Sequence, residues 1–380
     1  MSCNCVYNPC MILHYVRTIL ALSLLLTLLA CATKGPNFAT GTIAGQTISE
    51  NMDSEIAKVA LSSEHNEYND PNIDRLLSTL DSSTPPTPQQ LQILVKNGST
   101  DFASIIYARK LLNDRTNSFW QNHSLEVSQR IHSPTTKEKI KTHFSKHHAL
   151  LIPGWNWETR HDTGADLDFQ KKALASFGLT SSLVRTDEHG SVEKNAKIIV
   201  QAIDQAKSLN KSIILISVSK GGADSAYALG KLIDIENTPH LVGWLNIGGI
   251  ISGSTLVDLE MNDPEKWLLS IGFAADTPLT AVQSLRKDIA IKRAAELSFP
   301  KQVRIVNYAA LPFADNLSKQ SHYSYSRLAQ YGPNDGAALT YEMLVDNQPT
   351  VLEIGLDHFM RSLRAMNRAI ALLYMIAENK

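Results

Sequence analysis

Beyond position 31 the chain has no cysteine; Cys3, Cys5, Cys10 and Cys31 are the only four in 380 residues. That excludes disulfides, a thiol nucleophile and cysteine-ligated metal from the rest of the sequence. Charge of either sign is not in excess: 36 Lys and Arg against 37 Asp and Glu leave a net charge of −1. A nucleic-acid binder would show a basic footprint, and none is present. Internal repeats and low-complexity segments are also absent. The almost continuously apolar run from Ile19 to Ala30 is too short for an ordinary transmembrane helix. What remains is 43 % apolar, enough for a sizeable core in a chain longer than one typical domain.

The N-terminus stands apart. Arg17 followed by the Ile19–Ala30 run has the form of a secretory signal, with Met11 the expected translation start. Leu28-Leu29-Ala30-Cys31 resembles the bacterial lipobox, which implies cleavage before Cys31, lipidation of its thiol and membrane anchoring. Cys3, Cys5 and Cys10 lie upstream of that cleavage point. Ala32 is not the aspartate that retains lipoproteins at an inner membrane, so the resemblance implies an outer-membrane location in the bacterial envelope. The expected organisation is a signal peptide at 1–30 and an aperiodic, Thr/Gly/Ala/Asn-rich tether at 31–50. A helical region follows at 51–146, then a domain at 147–380 with a cap or lid insertion at about 254–300.

Residues 51–146 carry helical signals. Thr87-Pro88-Gln89-Gln90 has a capping threonine, a first-turn proline and a glutamine three residues after the cap. Apolar positions from Ile105 to Ile131 recur at helical spacing. His143 and His147 stand four apart, as zinc ligands on a helix do, but no third ligand is near; they read as a solvated helix end. From His148 short buried strands alternate with helix-length segments. Strands are expected at Ala149–Ile152, Ser182–Arg185, Ile213–Ile216, Leu241–Ile247, Gln302–Tyr308 and Val351–Ile354. That alternation predicts an α/β fold, a mostly parallel sheet with helices on both faces.

The strand Ile213-Ile214-Leu215-Ile216 runs into Ser217-Val218-Ser219-Lys220-Gly221-Gly222 and then a helix. A serine at a sharp strand-to-helix corner, with small residues two positions to either side, matches a nucleophile elbow. Ser219 is therefore the candidate nucleophile, with Ser217 or Ser225 to be examined if the elbow is misplaced. A base and an acid must follow it in sequence. His358 comes directly after the last strand in Gly355-Leu356-Asp357-His358, whereas His322 lies in a polar Ser/Tyr loop. Asp335 sits in Pro333-Asn334-Asp335-Gly336, where the glycine permits a tight turn that aims a carboxylate inward. Asp315, six residues beyond Gln302–Tyr308, is the competing acid, and Asp357 is too close in sequence to reach its neighbour's imidazole. Lys220 flanks the nucleophile and is expected to point to solvent; Asp224 reads as a structural helix residue.

Pro333-Asn334-Asp335-Gly336 and the later Gly-Leu-Asp-His segment resemble the acid-to-histidine region of α/β-hydrolase lipases and serine esterases. Gly248 to Asp258 is similar to a post-strand stretch of lipases, with Ile250-Ile251 in place of the usual Pro-His. The resemblance spans roughly residues 148–375. It implies the α/β-hydrolase fold and a Ser219-His358-Asp335 triad. Backbone N–H groups of Trp155 and Lys220 would receive the oxyanion, and the substrate would be an ester or lipid. It implies no metal or organic cofactor; no carboxylate cluster identifies the calcium site some lipases carry. A thioesterase or acyltransferase would use the same residues. A non-catalytic envelope lipoprotein that binds through a hydrolase scaffold is the alternative from another class.

Overall fold

The computed structural model describes residues 35–63, 68, 70–78, 80, 84–262 and 279–378. The signal peptide, Cys31 and much of the expected cap (263–278) lie outside the described residues. A hairpin, β1 (Phe38–Ile43) and β2 (Gln46–Asn51), opens the chain. Six helices follow: α1 (Glu55–Ser62), α2 (Pro71–Leu77), α3 (Pro88–Asn97), α4 (Thr100–Leu112), α5 (Arg115–Arg130) and α6 (Pro134–Phe144). The alternating part then runs β3 (His147–Ile152), α7 (Asp168–Ser176), β4 (Thr180–Leu183), α8 (Val192–Gln205), β5 (Ser212–Val218) and α9 (Lys220–Tyr227). It continues with β6 (Leu241–Ile247), α10 (Thr255–Met261), α11 (Leu279–Gln283), α12 (Lys287–Ala295) and β7 (Arg304–Leu311). The chain closes with α13 (His322–Leu328), β8 (Thr350–Ile354) and α14 (Leu363–Glu378).

Strands β3 to β8 form one parallel sheet in the order β4-β3-β5-β6-β7-β8. Strand β5 carries the apolar run Ile213–Ile216 because both its faces are covered. On β5, Ile214 and Ile216 pack with α6, α7 and α14 on one face. Ile213 and Leu215 pack with α8 and α9 on the other. From β3 the chain first goes outward to β4, then returns across to β5. That reversal opens a crevice at the carboxyl ends of β3 and β5, the place where open α/β sheets bind ligands. Ile152 of β3 pairs with Ser217 of β5, so the residues that follow both strands emerge side by side.

The tether expectation fails for the described part of 31–50. Ile43 pairs with Gln46, and between them Ala44 and Gly45 both have positive φ, 45° and 77°. Two such residues make the turn whose twist suits a hairpin. Alternate residues Ala39, Ile43 and Ile48 are buried. Gly41 lies flat against α1: a Cβ there would stand 1.8 Å from the Leu61 carbonyl oxygen.

The N-terminal helices seal an edge of the sheet. Among the described residues, strand β8 has a neighbouring strand on one side only, and the groups on its other side need partners. Asn117 and Gln121, one turn apart on α5, supply them. Asn117 Oδ1 accepts from Thr350 N–H at 2.8 Å, and Gln121 accepts from Leu352 N–H at 2.9 Å and donates to its carbonyl at 3.0 Å. Gln46 of the hairpin donates to the Ile354 carbonyl at 3.3 Å. Four helical residues rise about 6 Å and two strand residues about 6.6 Å, so an i, i+4 pair matches alternate strand residues. At the start of α3 the Thr87 cap is observed: its hydroxyl accepts from Gln90 N–H, and Gln90 accepts from Thr87 N–H.

Candidate active site

Ser219 stands between the end of β5 and the start of α9 with φ 52° and ψ −127°. This backbone conformation is costly for a residue with a Cβ, by about 1–3 kcal/mol. It persists because surrounding bonds determine it. Ser219 N–H donates to the Ile247 carbonyl at 3.1 Å, and its own carbonyl accepts from Gly222 and Ile250 at 2.9 and 3.1 Å. The small neighbours each have a reason. A Cβ on Gly221 would lie 2.4 Å from the Pro153 carbonyl oxygen. Ser217 is fully buried and accepts from the indole N–H of Trp244 on β6 at 2.8 Å.

His358 and Asp335 meet from different loops. His358 Nδ1 lies 2.5 Å from Asp335 Oδ2. The other oxygen, Oδ1, accepts from Ala337 N–H at 2.8 Å and Ala338 N–H at 3.0 Å. His358 N–H also donates to the Asp335 carbonyl at 2.8 Å, so backbone as well as side chain holds the pair in register. The turn needs its glycine: Gly336 has φ +94°, and a Cβ would stand 2.8 Å from Ser321 Cβ. Asp335 is fully buried, while the His358 side chain is 14 % exposed. Burial alone would press the imidazole pKa down, but the charges of Asp335 and Asp357 and the Asp335 hydrogen bond outweigh it and hold it above 6.5. Gly248 lies against the pair: a Cβ there would be 3.6 Å from His358 Nδ1.

Ser219 and His358 line one cavity of about 410 Å³. Trp155, Arg160, Leu256, Phe359 and Met360 contribute to its walls. Of the two tryptophans after β3, Trp155 faces the cavity; Trp157 is buried and donates to the Thr186 carbonyl at 3.1 Å. Leu256, from the start of the expected cap, also reaches the cavity.

None of the rival candidates lines this cavity. Asp315 is exposed and accepts from Asn51 Nδ2 at 2.9 Å. Asp357 accepts from Ser318 N–H at 2.7 Å, which fixes the loop beside the site. His322 is exposed at the start of α13. Ser225 is fully buried on α9. His147 Nδ1 lies 2.7 Å from the His143 carbonyl, and among the described residues no three His, Cys, Asp or Glu side chains converge as metal ligands.

Lys220 corrects the sequence reading. Its side chain is 2 % exposed, and its ammonium sits 2.8 and 2.9 Å from the two oxygens of Asp224, itself 1 % exposed. The lysine turns inward because a counter-charge waits one helical turn on. Burial raises the Asp224 pKa, with Lys220 and Asn195 opposing it. Removing one partner strands a buried charge, so Asp224→Ala is expected to destabilise the fold by about 3–5 kcal/mol, while Lys220→Met with Asp224→Leu is nearly neutral. Urea denaturation checks this; equal stabilities for the single and double variants would refute it.

No family model matches the sequence, and no curated protein does. Solved structures do match. The metagenomic carboxyl esterase MGS0156 superposes over 62 % of this chain and 76 % of its own, with TM-score 0.52 and 21 % identity. The mature form of the Bacillus licheniformis lipase BlEst2 covers 57 % of this chain and 86 % of its own, at TM-score 0.49 and 20 % identity. The chain has the α/β-hydrolase fold. Its parallel six-stranded sheet is covered on both faces, and Ser219 stands at the turn from β5 into α9. Sequence reasoning did not reach Ser217 as the acceptor for Trp244, Asn117 and Gln121 as sealants of β8, or the inward Lys220.

Proposed function

We propose that this chain is a serine hydrolase that cleaves carboxylic esters through an acyl-enzyme. The observation that carries the reading is the Asp335–His358 pair at 2.5 Å on the cavity that Ser219 also lines. In this mechanism Ser219 Oγ attacks the ester carbonyl carbon while His358 Nε2 takes its proton. The carbonyl oxygen becomes an oxyanion, received by the N–H groups of Lys220 and Trp155. The carbon–oxygen bond to the alcohol then breaks, and the imidazolium returns the proton to the leaving alkoxide. Water repeats the sequence on the acyl-Ser219 ester and releases the acid. Asp335 holds the imidazole with Nδ1 protonated and balances its charge in both steps.

A fluorophosphonate probe tests this directly. Native protein is expected to take up one phosphonyl group, mapped by peptide mass to Ser219, and to hydrolyse p-nitrophenyl esters. Native protein that stays unlabelled while a control serine hydrolase labels would favour a binding scaffold instead.

We further propose lipid attachment through Cys31 in a bacterial envelope, supported by Arg17, the apolar run and Leu28-Leu29-Ala30-Cys31. Metabolic labelling with a fatty acid is expected to mark the wild type and to vanish in Cys31→Ala. Equal labelling of both would remove the anchor from the account.

A further inference from the structure

We infer that the loop between β4 and α8 is the frame that sets the two oxyanion donors against each other, with Glu188 and Asn195 as positioning residues. This rests on the esterase reading above. The donors come from separate parts of the sheet: Trp155 follows β3, and Lys220 follows β5. One short loop is linked to both, through the residues that follow Trp155 and through Asn195 and Asp224 to Lys220.

Toward Trp155 the loop grips the following residues. Glu188 Oε2 accepts from Glu158 N–H, Thr159 N–H and the Thr159 hydroxyl at 3.1, 3.2 and 3.1 Å. His189 Nε2 donates to Asn156 Oδ1 at 2.7 Å. Asn156, directly after Trp155, has φ 55°, a left-handed conformation that needs support in a residue with a side chain. The indole of Trp157 donates to the Thr186 carbonyl, and the Trp155 and His189 rings lie 5.4 Å apart.

Toward Lys220 the link is Asn195, which is 1 % exposed. Its Oδ1 accepts from Asp187 N–H at 3.0 Å, and its Nδ2 donates to the Asp187 carbonyl at 3.0 Å and to Asp224 Oδ2 at 2.9 Å. Asp224 in turn holds Lys220. A single asparagine therefore couples the loop to the first turn of α9, whose leading N–H is the second donor. Oxyanion stabilisation depends on donors fixed in advance at the position the charge will occupy. A shift in their spacing weakens the transition state more than it weakens substrate binding, and displacements near 1 Å cost about a hundredfold.

Full-length Glu188→Ala, Glu188→Gln, Asn195→Ala and the Glu188→Ala/Asn195→Ala double variant test the frame. The measurements are kcat and KM on a p-nitrophenyl ester and inhibition by an alkylboronic acid, whose tetrahedral adduct occupies the oxyanion position. Glu188 is half-buried and contacts two backbone N–H groups and a hydroxyl, so its truncation opens no core. Glu188→Ala is expected to lower kcat and boronate affinity in parallel, by about tenfold, with KM within about twofold. Glu188→Gln keeps an accepting oxygen and should recover most of that loss. Asn195→Ala should show the same pattern more strongly, and the double variant should lose less than the product of the singles because both act on one device. A rise in KM with unchanged kcat, a lower melting temperature with unchanged kcat, or multiplicative losses would overturn the frame while leaving the esterase reading intact. A wild type that hydrolyses no ester would overturn that reading itself.

Discussion

Ser219→Ala is expected to remove ester turnover almost entirely, by about 10⁶-fold in kcat, since a triad acts as a unit and loss of the nucleophile leaves only binding and the oxyanion donors. No other serine at the corner is placed to take over. Ser217 and Ser225 are both fully buried, and the Ser217 hydroxyl already accepts from Trp244. The fold should survive, because the backbone N–H and carbonyl of Ser219 make the bonds that hold the elbow and neither depends on the side chain. A companion variant separates chemistry from stability. With φ at 52° the corner favours a residue without a Cβ, so Ser219→Gly should be equally inactive yet more stable by about 1 kcal/mol. Turnover within tenfold of wild type in Ser219→Ala, measured on folded protein, would take the nucleophile away from this corner. An inactive but destabilised Ser219→Gly would mean that the positive φ carries no strain.

Much of this site was legible because its determinants are local. Strand β6 occupies the expected residues, Leu241–Ile247, since a mostly apolar stretch ends at Gly248, which takes a positive φ. The elbow was readable from size alone: a carbonyl 2.4 Å from any Cβ at position 221 leaves its mark as a glycine. The hairpin was missed for a local reason too. Ala44-Gly45 makes a turn that Asn-Gly would have announced, and alanine seldom adopts positive φ. Other features are tertiary and left weaker traces. Asn117 and Gln121 are polar residues on a buried face of α5, a sign that something there needs hydrogen bonds, but the matching register on β8 appears only when the sheet is assembled. The inward turn of Lys220 was half visible, since Asp224 stands at the i+4 position. What tipped the balance is Asn195, which approaches from another helix and completes the burial of the pair.

Asp335→Asn separates the two candidate acids, and the atom-by-atom demands at Asp335 give its size. The carboxylate accepts on both sides at once, from Ala337 and Ala338 N–H through Oδ1 and from His358 through Oδ2. An asparagine has one accepting oxygen. Turning that oxygen to the two backbone N–H groups preserves two hydrogen bonds, whereas turning it to His358 preserves one, so the first orientation wins. The amide N–H₂ then faces Nδ1, which must become an acceptor, and the imidazole proton moves to Nε2. That is the nitrogen needed to take the proton from Ser219, so kcat should fall by about 10⁴-fold with the fold intact. Asp315→Asn, which alters one exposed bond to Asn51, should change kcat by less than about twofold. The pH profile supplies an independent reading. Because Asp335 helps hold the His358 pKa above 6.5, the wild-type imidazole is charged, and useless as a base, at and somewhat above that pH. Its kcat/KM should therefore fall as pH drops through an apparent pKa above 6.5. In Asp335→Asn the residual activity should lose its acid limb at lower pH than the wild type does, because the counter-charge is gone. A larger loss in Asp315→Asn than in Asp335→Asn, or an acid limb that does not move, would transfer the acid's role away from Asp335.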